Sequence, residues 1–176
     1  MFLMFSSDSI YMPSKSIKKK LRIGWFTFTC SEDSSIILLE LFNEHYFEWK
    51  EKIEFAHCKM IKSKNDQTGL DVAFVEGAIS TDTEKKKLLE IRKNAKKLVA
   101  VGACACTGMP SSQRNNFDDK AKEEITPFLK QHGLWGKVLT VKDVVPIDDS
   151  VPGCPMDGKM FVSLLDRYFV DFGIVN

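Results

Sequence analysis

The chain has 176 residues, which suits one domain and leaves little room for two. Lysine and arginine number 25 against 24 aspartate and glutamate residues, so the net charge of +1 argues against a nucleic-acid partner. No apolar stretch approaches the length of a membrane span. The five cysteines are too irregularly spread for a secreted disulfide framework, which favours a reducing compartment, the cytoplasm.

The first twenty residues predict a flexible tail, 1–20. Their apolar patch, MFLMF, is too short for a signal peptide and has no basic residues before it. The lysine run at 18–20 is typical of a solvated surface. From residue 21 the pattern becomes regular, and we expect a single domain over 21–176.

The first half of this domain alternates between strand and helix patterns. LRIGWFTFT predicts a strand that ends at Cys30, and apolar residues at helical spacing predict one helix over 34–52. Further strands are predicted over 52–60 and 70–80. The strand over 70–80 is apolar nearly throughout, as is typical of a strand covered on both faces.

The second half continues the alternation. A helix is predicted over 81–93, with Thr81 or Asp82 as its N-cap. The remaining predictions are a strand over 96–104, a helix over 118–131 that contains Pro127, a short fifth strand over 137–145 and a last helix over 155–173. This alternation predicts the α/β class, with a flavodoxin-like three-layer α/β/α arrangement and a mostly parallel sheet.

Four of the cysteines follow predicted strands. Cys30 follows the first strand, and Cys154 comes just after the region of the fifth. Cys104 and Cys106 follow the fourth strand. The carboxyl ends of parallel strands lie along one edge of a sheet, where ligands bind, so these thiols are expected to converge. Cys58, within or just past the second strand, is predicted to be a buried small apolar side chain.

The spacing of the cysteines limits the kinds of metal or redox site that they could form. Structural zinc usually takes paired cysteine knuckles, and a thioredoxin-like dithiol needs Cys-x-x-Cys; the chain has neither. Iron–sulfur clusters accept thiolates from separate loops and favour glycine-rich surroundings, which these loops offer. Two other interpretations stay open: a flavodoxin-style FMN module, and a zinc-bound or cluster-free assembly scaffold.

Four motifs follow one another in a recognisable order: TCSEDSSIILLEL, VAFVEGAIS, VAVGACACTGMPSSQRN and VPGCPMDGKMF. Together they resemble the small subunit of [NiFe] hydrogenases and the related 20 kDa complex I subunit that holds the cluster nearest quinone. The resemblance covers about Ile23 to Gly173. The stretches EGAI and TGMPSSQRN are most similar to the cytoplasmic bidirectional type of hydrogenase.

The resemblance implies a flavodoxin-like domain that holds one proximal [4Fe-4S] cluster. Such a subunit relays electrons between the Ni–Fe site of a large subunit and further clusters of flavin-bearing, NAD(P)-reducing partners. The enzyme is then a hydrogenase complex, and this chain transfers electrons without carrying the Ni–Fe site. A complex I-like quinone oxidoreductase is the alternative, although tandem cysteines are expected there, and here Ser31 follows Cys30.

The resemblance also assigns cluster ligands. Cys30, Cys104 and Cys154 match three family cysteines, but where hydrogenases have a fourth cysteine this chain has Asp33. Asp33 is therefore a candidate oxygen ligand, and it is equally a good N-cap for the following helix. Cys106 and a solvent ligand are the other candidates for the fourth position, with apolar packing favoured for Cys106.

Glu76 ends a buried strand, where an unpaired charge is costly. The resemblance brings Glu76 near the cluster and the large subunit, in a ligand-orienting or proton-relaying role. A simple hydrogen bond to loop backbone is the equal alternative. Apolar side chains near the cysteine loops are candidates either for partner contact or for the core: Trp25, Phe26, Phe28 and Met109.

Overall fold

The computed structural model describes residues 19–175. Most of the predicted tail, 1–20, therefore lies outside the described residues. The strands are β1 Leu21–Thr27, β2 Ile53–Cys58, β3 Leu70–Glu76, β4 Ala95–Val101 and β5 Asp149–Val151. The helices are α1 Asp33–Glu44, α2 Tyr46–Lys52, α3 Asp82–Asn94, α4 Gly102–Thr107, α5 Asp119–Gln131 and α6 Gly158–Asp171. Within this part of the chain, no helix is long and apolar enough to cross a membrane.

The five strands form one parallel sheet in the order β2-β1-β3-β4-β5. This is the flavodoxin-like order, so the predicted fold class is confirmed. Strand β3 lies in the centre, and each of its seven residues is buried. Successive strands are added on opposite sides of β1, so the sheet has its topological switch point between β1 and β3, where such folds bind ligands.

A separate hydrophobic core covers each face of the sheet. Successive side chains of a strand point to opposite faces, so Trp25 enters one core and Phe26 the other. Trp25 packs against Phe161 of α6, with the ring centroids 6.0 Å apart. On the opposite face Phe26 shares a core with Leu88 of α3. These two cores produce the three-layer arrangement.

For two of the four apolar side chains near the cysteines, the structure decides between the two predicted roles in favour of the core. Trp25 and Phe26 are 2% and 1% exposed, so they hold the sheet to its helices and offer no surface to a partner. Phe28 packs against the core that contains Phe26 and Leu88. Met109 is the exposed member of the set.

The predicted fifth strand over 137–145 is wrong. This segment makes one antiparallel bridge, between Leu139 and Ile79, and then a 3-10 turn over Val141–Asp143. The side chains of Thr140 and Asp143 form a capping box that starts this turn and ends the extended conformation. The fifth strand is instead β5, whose polar residues are extended because they pair with β4.

One helix prediction and one strand prediction also need correction. The helix expected over 34–52 is divided at His45 into α1 and α2. The strand expected over 96–104 ends at Val101, because Gly102 adopts a positive φ of 80° and begins α4. The N-cap prediction for α3 is confirmed for Thr81, whose side chain accepts a hydrogen bond from the Glu84 amide.

Candidate metal centre

A pocket lies at the carboxyl ends of β1, β3 and β4. Four segments of the chain contribute to it, and its lining residues are Cys30, Ser31, Asp33, Ser34, Glu76, Val101, Gly102, Ala103, Cys104, Gly153, Cys154 and Pro155. Cysteines more than a hundred residues apart in sequence therefore lie around one pocket. The carboxyl edge of the sheet brings them together, as expected of parallel strands.

Hydrogen bonds between the segments hold the pocket walls together. The amide of Ala103 donates to the carbonyl of Gly153 over 2.6 Å, which joins the start of α4 to the Cys154 loop. The amide of Met156 donates to Ser34 Oγ over 3.2 Å, which joins that loop to α1. A Cβ at Gly102 would lie 2.9 Å from Ser34 Oγ, so the close approach of α4 and α1 requires glycine here.

Glu76 connects the central strand to the start of α1. Its side chain is 3% exposed, and its Oε1 accepts a hydrogen bond from the Ser34 amide over 2.9 Å. Its Oε2 accepts from the Ser35 hydroxyl over 2.6 Å, and Ser35 Oγ in turn accepts from Trp25 Nε1 over 2.8 Å. The carboxylate thus satisfies a free amide of the first helical turn and lies at the positive end of α1.

This arrangement corrects the prediction that Asp33 caps α1. Asp33 is the first residue of the helix, and the preceding residue, Glu32, occupies the N-cap position with a φ of 62° and no side-chain cap bond. Glu76 supplies the cap from a different strand. Asp33 is exposed, and its Oδ2 accepts a hydrogen bond from the Ser31 hydroxyl over 2.8 Å. Its carboxylate is therefore not needed to cap the helix.

The pocket cysteines differ in environment. Cys104 is 7% exposed and shares a small apolar cluster with the half-buried Cys30, whereas Cys154 is exposed. Burial raises the pKa of the Cys30 thiol to about 12, and the nearby charge of Glu76 acts in the same direction. This pKa favours the neutral thiol at neutral pH, and a metal bound at Cys30 would have to displace its proton.

Cys106 does not line the pocket. Residues two positions apart on an α-helix point in very different directions, so Cys106 lies away from Cys104 on α4. Its thiol donates to the carbonyl of Ala100 over 3.5 Å, and its side chain packs against the core that contains Phe26. Burial raises the pKa of this thiol to about 11. Cys58, as predicted, is fully buried in the opposite core.

The donor set of the pocket is compatible with an iron–sulfur cluster. Over residues 19–175, no three His, Cys, Asp or Glu side chains are arranged so that they could hold one metal ion. A cluster presents several irons, so its protein ligands need not meet at one point. Three thiols and the Asp33 carboxylate line the pocket, and these are donors that such a cluster accepts.

The comparison with known proteins identifies the family. A family model described as NADH ubiquinone oxidoreductase, 20 Kd subunit, matches residues 30–168. The chain belongs to this family. The match begins at Cys30 and includes Cys104 and Cys154, so it covers the cysteines that line the pocket.

Hydrogenase subunits are among the relatives. The sulfhydrogenase 2 subunit delta of Pyrococcus furiosus is 30% identical over 150 residues, which cover 83% of this chain and 61% of the relative. The NAD-reducing hydrogenase HoxS subunit delta of Cupriavidus necator is 28% identical over 132 residues, which cover 66% of this chain and 63% of the relative. The chain thus spans about three-fifths of the length of these curated relatives.

A solved structure supports the fold. A chain in the crystal structure of an NAD+-reducing [NiFe]-hydrogenase in the H2-reduced state superposes with a TM-score of 0.76 at 21% identity. The superposition covers 87% of this chain and 93% of that chain. A chain of a Desulfomicrobium baculatum Ni-Fe-Se hydrogenase has a TM-score of 0.57 at 18% identity. At these identities the likeness establishes the fold that the members share.

Sequence reasoning missed the side chains that position this site. Ser34 and Ser35 join Glu76 to Trp25 and to the Cys154 loop, and Ser111 lies with its Oγ 3.2 Å from Cys104 Sγ. All three are serines in polar stretches, where the sequence offers no periodicity or spacing to distinguish them. Their roles arise from long-range contacts.

We expect Glu76→Ala to lower the free energy of unfolding by about 1–3 kcal/mol, the usual cost of leaving a buried hydrogen-bonding group without its partner. The variant leaves the Ser34 amide and the Ser35 hydroxyl without their acceptor. Guanidinium denaturation of the two proteins measures the difference. Glu40→Ala, on the exposed face of α1, is the matched control and should change stability little. Equal losses for the two variants would contradict this role of Glu76.

Proposed function

We propose that this chain is the electron-transferring small subunit of a [NiFe] hydrogenase, and that it holds one proximal [4Fe-4S] cluster. The observation that carries the proposal is the position of Cys30, Cys104 and Cys154 around one pocket in a chain of this family. The partners are a large subunit with the Ni–Fe site and flavin- and cluster-bearing subunits that reduce NAD(P). The complex works in the cytoplasm.

Three thiolates and one carboxylate bind the cluster in this proposal. Cys30, Cys104 and Cys154 supply sulfur, and Asp33 supplies oxygen. Two observations favour Asp33 over Cys106 as the fourth ligand. Asp33 lines the pocket and does not serve as the helix cap. Cys106 points away from the pocket and packs against the core that contains Phe26. An oxygen donor is harder than sulfur and gives the site different electronic properties from those of an all-thiolate site.

The burial of the pocket residues suits a relay between proteins. Cys104 and Glu76 lie on the inner, buried side of the pocket, while Asp33 and Cys154 are exposed. A cluster in this position supplies one-electron chemistry and is shielded by the chain on its inner side. The exposed rim, with Met109 close in sequence to Cys104, leaves a face on which a partner subunit can bring its own redox centre close.

Anaerobic purification should yield about four irons and four sulfides per chain, as a [4Fe-4S] cluster requires. Cys30→Ala, Cys104→Ala and Cys154→Ala should each lose most of the iron, because each removes a thiolate ligand. Cys106→Ala is the matched control and should retain it, since its thiol bonds a core carbonyl outside the pocket. Iron and sulfide analysis and electron paramagnetic resonance (EPR) of the reduced protein provide the measurements.

Other outcomes of this experiment identify the alternatives. Bound flavin and little iron would support the FMN module and overturn the cluster. Stoichiometric zinc would support the assembly scaffold. Loss of iron in Cys106→Ala together with its retention in Cys154→Ala would reverse the ligand assignment.

Asp33→Cys should keep about four irons per chain, because it replaces the oxygen ligand with the usual thiolate. The EPR spectrum of the reduced cluster should change, since a softer donor then binds one iron. Asp33→Ala should bind iron less stably, with faster loss to a chelator. Glu32→Ala is the control, because Glu32 is the exposed neighbour that does not line the pocket. An Asp33→Cys spectrum identical to that of the wild type would mean that Asp33 does not touch iron.

The complex purified anaerobically through a tag on this chain should contain a large subunit and should reduce NAD(P)+ with hydrogen. Cys104→Ala should abolish this coupled reaction, whereas isotope exchange of hydrogen at the large subunit should persist if assembly is intact. The first reaction needs the relay, and the second needs only the Ni–Fe site. Quinone reduction without hydrogen turnover would instead support a complex I-like enzyme.

A further inference from the structure

Ser111 contacts one of the pocket cysteines although it does not itself line the pocket. Its Oγ lies 3.2 Å from Cys104 Sγ, and its hydroxyl also lies within hydrogen-bonding distance, 3.2 Å, of the carbonyl of Thr29. The half-buried Ser111 thus lies between the start of α4 and the segment that leads to Cys30. A serine hydroxyl has a single hydrogen, so it can donate to one of these two acceptors at a time.

The Thr29 carbonyl has a hydrogen-bond donor other than Ser111. It also accepts a hydrogen bond from the amide of Ala78 over 2.9 Å, within the bridge that joins the ends of β1 and β3. Rotation of the Ser111 hydroxyl away from Thr29 therefore leaves no buried carbonyl without a partner. The hydroxyl hydrogen is free to turn toward Cys104 at little cost.

The direction of the Ser111–Cys104 bond depends on the state of the cysteine. As a thiol, Cys104 can donate its hydrogen to Ser111 Oγ while Ser111 donates to Thr29. A cysteine that binds iron does so as a thiolate, which has no hydrogen and only accepts. Ser111 is then the group that must donate, and a hydrogen bond to an anionic sulfur is stronger than one between neutral groups.

We propose that Ser111 donates a hydrogen bond to the iron-bound sulfur of Cys104 and thereby raises the reduction potential of the cluster. This inference rests on the proposed function, because it requires Cys104 to be a ligand. A hydroxyl that donates to a ligand sulfur stabilises the reduced state, in which one added electron increases the negative charge on sulfur, more than the oxidised state. Ser111 is thus a positioning and tuning residue.

The other two pocket cysteines, Cys30 and Cys154, have no hydroxyl donor of this kind among the described residues. The Cys30 thiol donates to the carbonyl of Phe28 over 3.6 Å, and a carbonyl cannot donate to a thiolate. Over residues 19–175, no side-chain hydroxyl forms a hydrogen bond with Cys30 or Cys154. Among the side-chain hydroxyls of the described residues, the tuning bond is therefore made at Cys104, on the buried side of the pocket.

The experiment is a redox titration of the anaerobically purified, cluster-loaded protein, followed by EPR. Ser111→Ala should shift the midpoint potential to a more negative value, because it removes the donor. Ser111→Thr keeps a hydroxyl and should restore a potential close to that of the wild type. Ser112→Ala removes a hydroxyl from the adjacent buried serine, whose side chain makes no hydrogen bond to a cysteine of the described residues, and should leave the potential unchanged. An unchanged potential in Ser111→Ala would overturn the proposal.

A second measurement keeps the proposal testable if Ser111→Ala binds no cluster. After exchange into heavy water, pulsed EPR of the reduced wild-type protein should detect an exchangeable deuteron coupled to the cluster, and Ser111→Thr should retain it. Absence of that coupling from the wild type would overturn the role of Ser111. A wild-type protein that contains no iron would instead overturn the proposed function, so the two failures are distinguishable.

Discussion

The geometry of the candidate site depends on one buried carboxylate, that of Glu76 at the end of the central strand. A charge in this position is costly unless hydrogen-bond donors surround it. Here the amide of Ser34, the hydroxyl of Ser35 and the positive end of α1 offset that cost. Because these donors belong to the residues that follow Cys30, the carboxylate also holds the Cys30 loop close to the ends of β3 and β4. A strand–helix contact thus supports the candidate metal centre.

The parallel sheet explains how thiols from distant parts of the sequence reach the same place. Each strand ends at the same edge, and the chain leaves each end through a short loop or the start of a helix. The close approach of these segments requires residues without side chains, as at Gly102, where a Cβ would collide with Ser34. The bond between Ala103 and Gly153 then closes the wall of the pocket. The site is therefore a property of the whole sheet edge.

The side chains around the pocket differ in their roles, and the difference follows from how deeply each one is buried. Glu76 caps the helix, which leaves the exposed Asp33 available as an oxygen donor. On α4, Cys104 and Cys106 face different surroundings although one residue separates them, so only Cys104 lines the pocket. Ser111 approaches Cys104 from outside the pocket lining. In the proposed relay, the buried side of the site thus stabilises and tunes the cluster, while the exposed side transfers electrons.

The local sequence pattern was sufficient to predict the α/β class, most strands and helices, and the Thr81 cap. It also predicted that Cys30 and Cys104 lie at strand ends. These features could be predicted because apolar periodicity and capping are properties of neighbouring residues. Tertiary structure alone decided that Asp149–Val151 is the fifth strand, that Glu76 and not Asp33 caps α1, and that Ser111 contacts Cys104. Each of these depends on a partner far away in the chain. A short polar strand is extended only because β4 pairs with it, and a cap or a hydroxyl contact is made by whichever side chain the fold brings within reach.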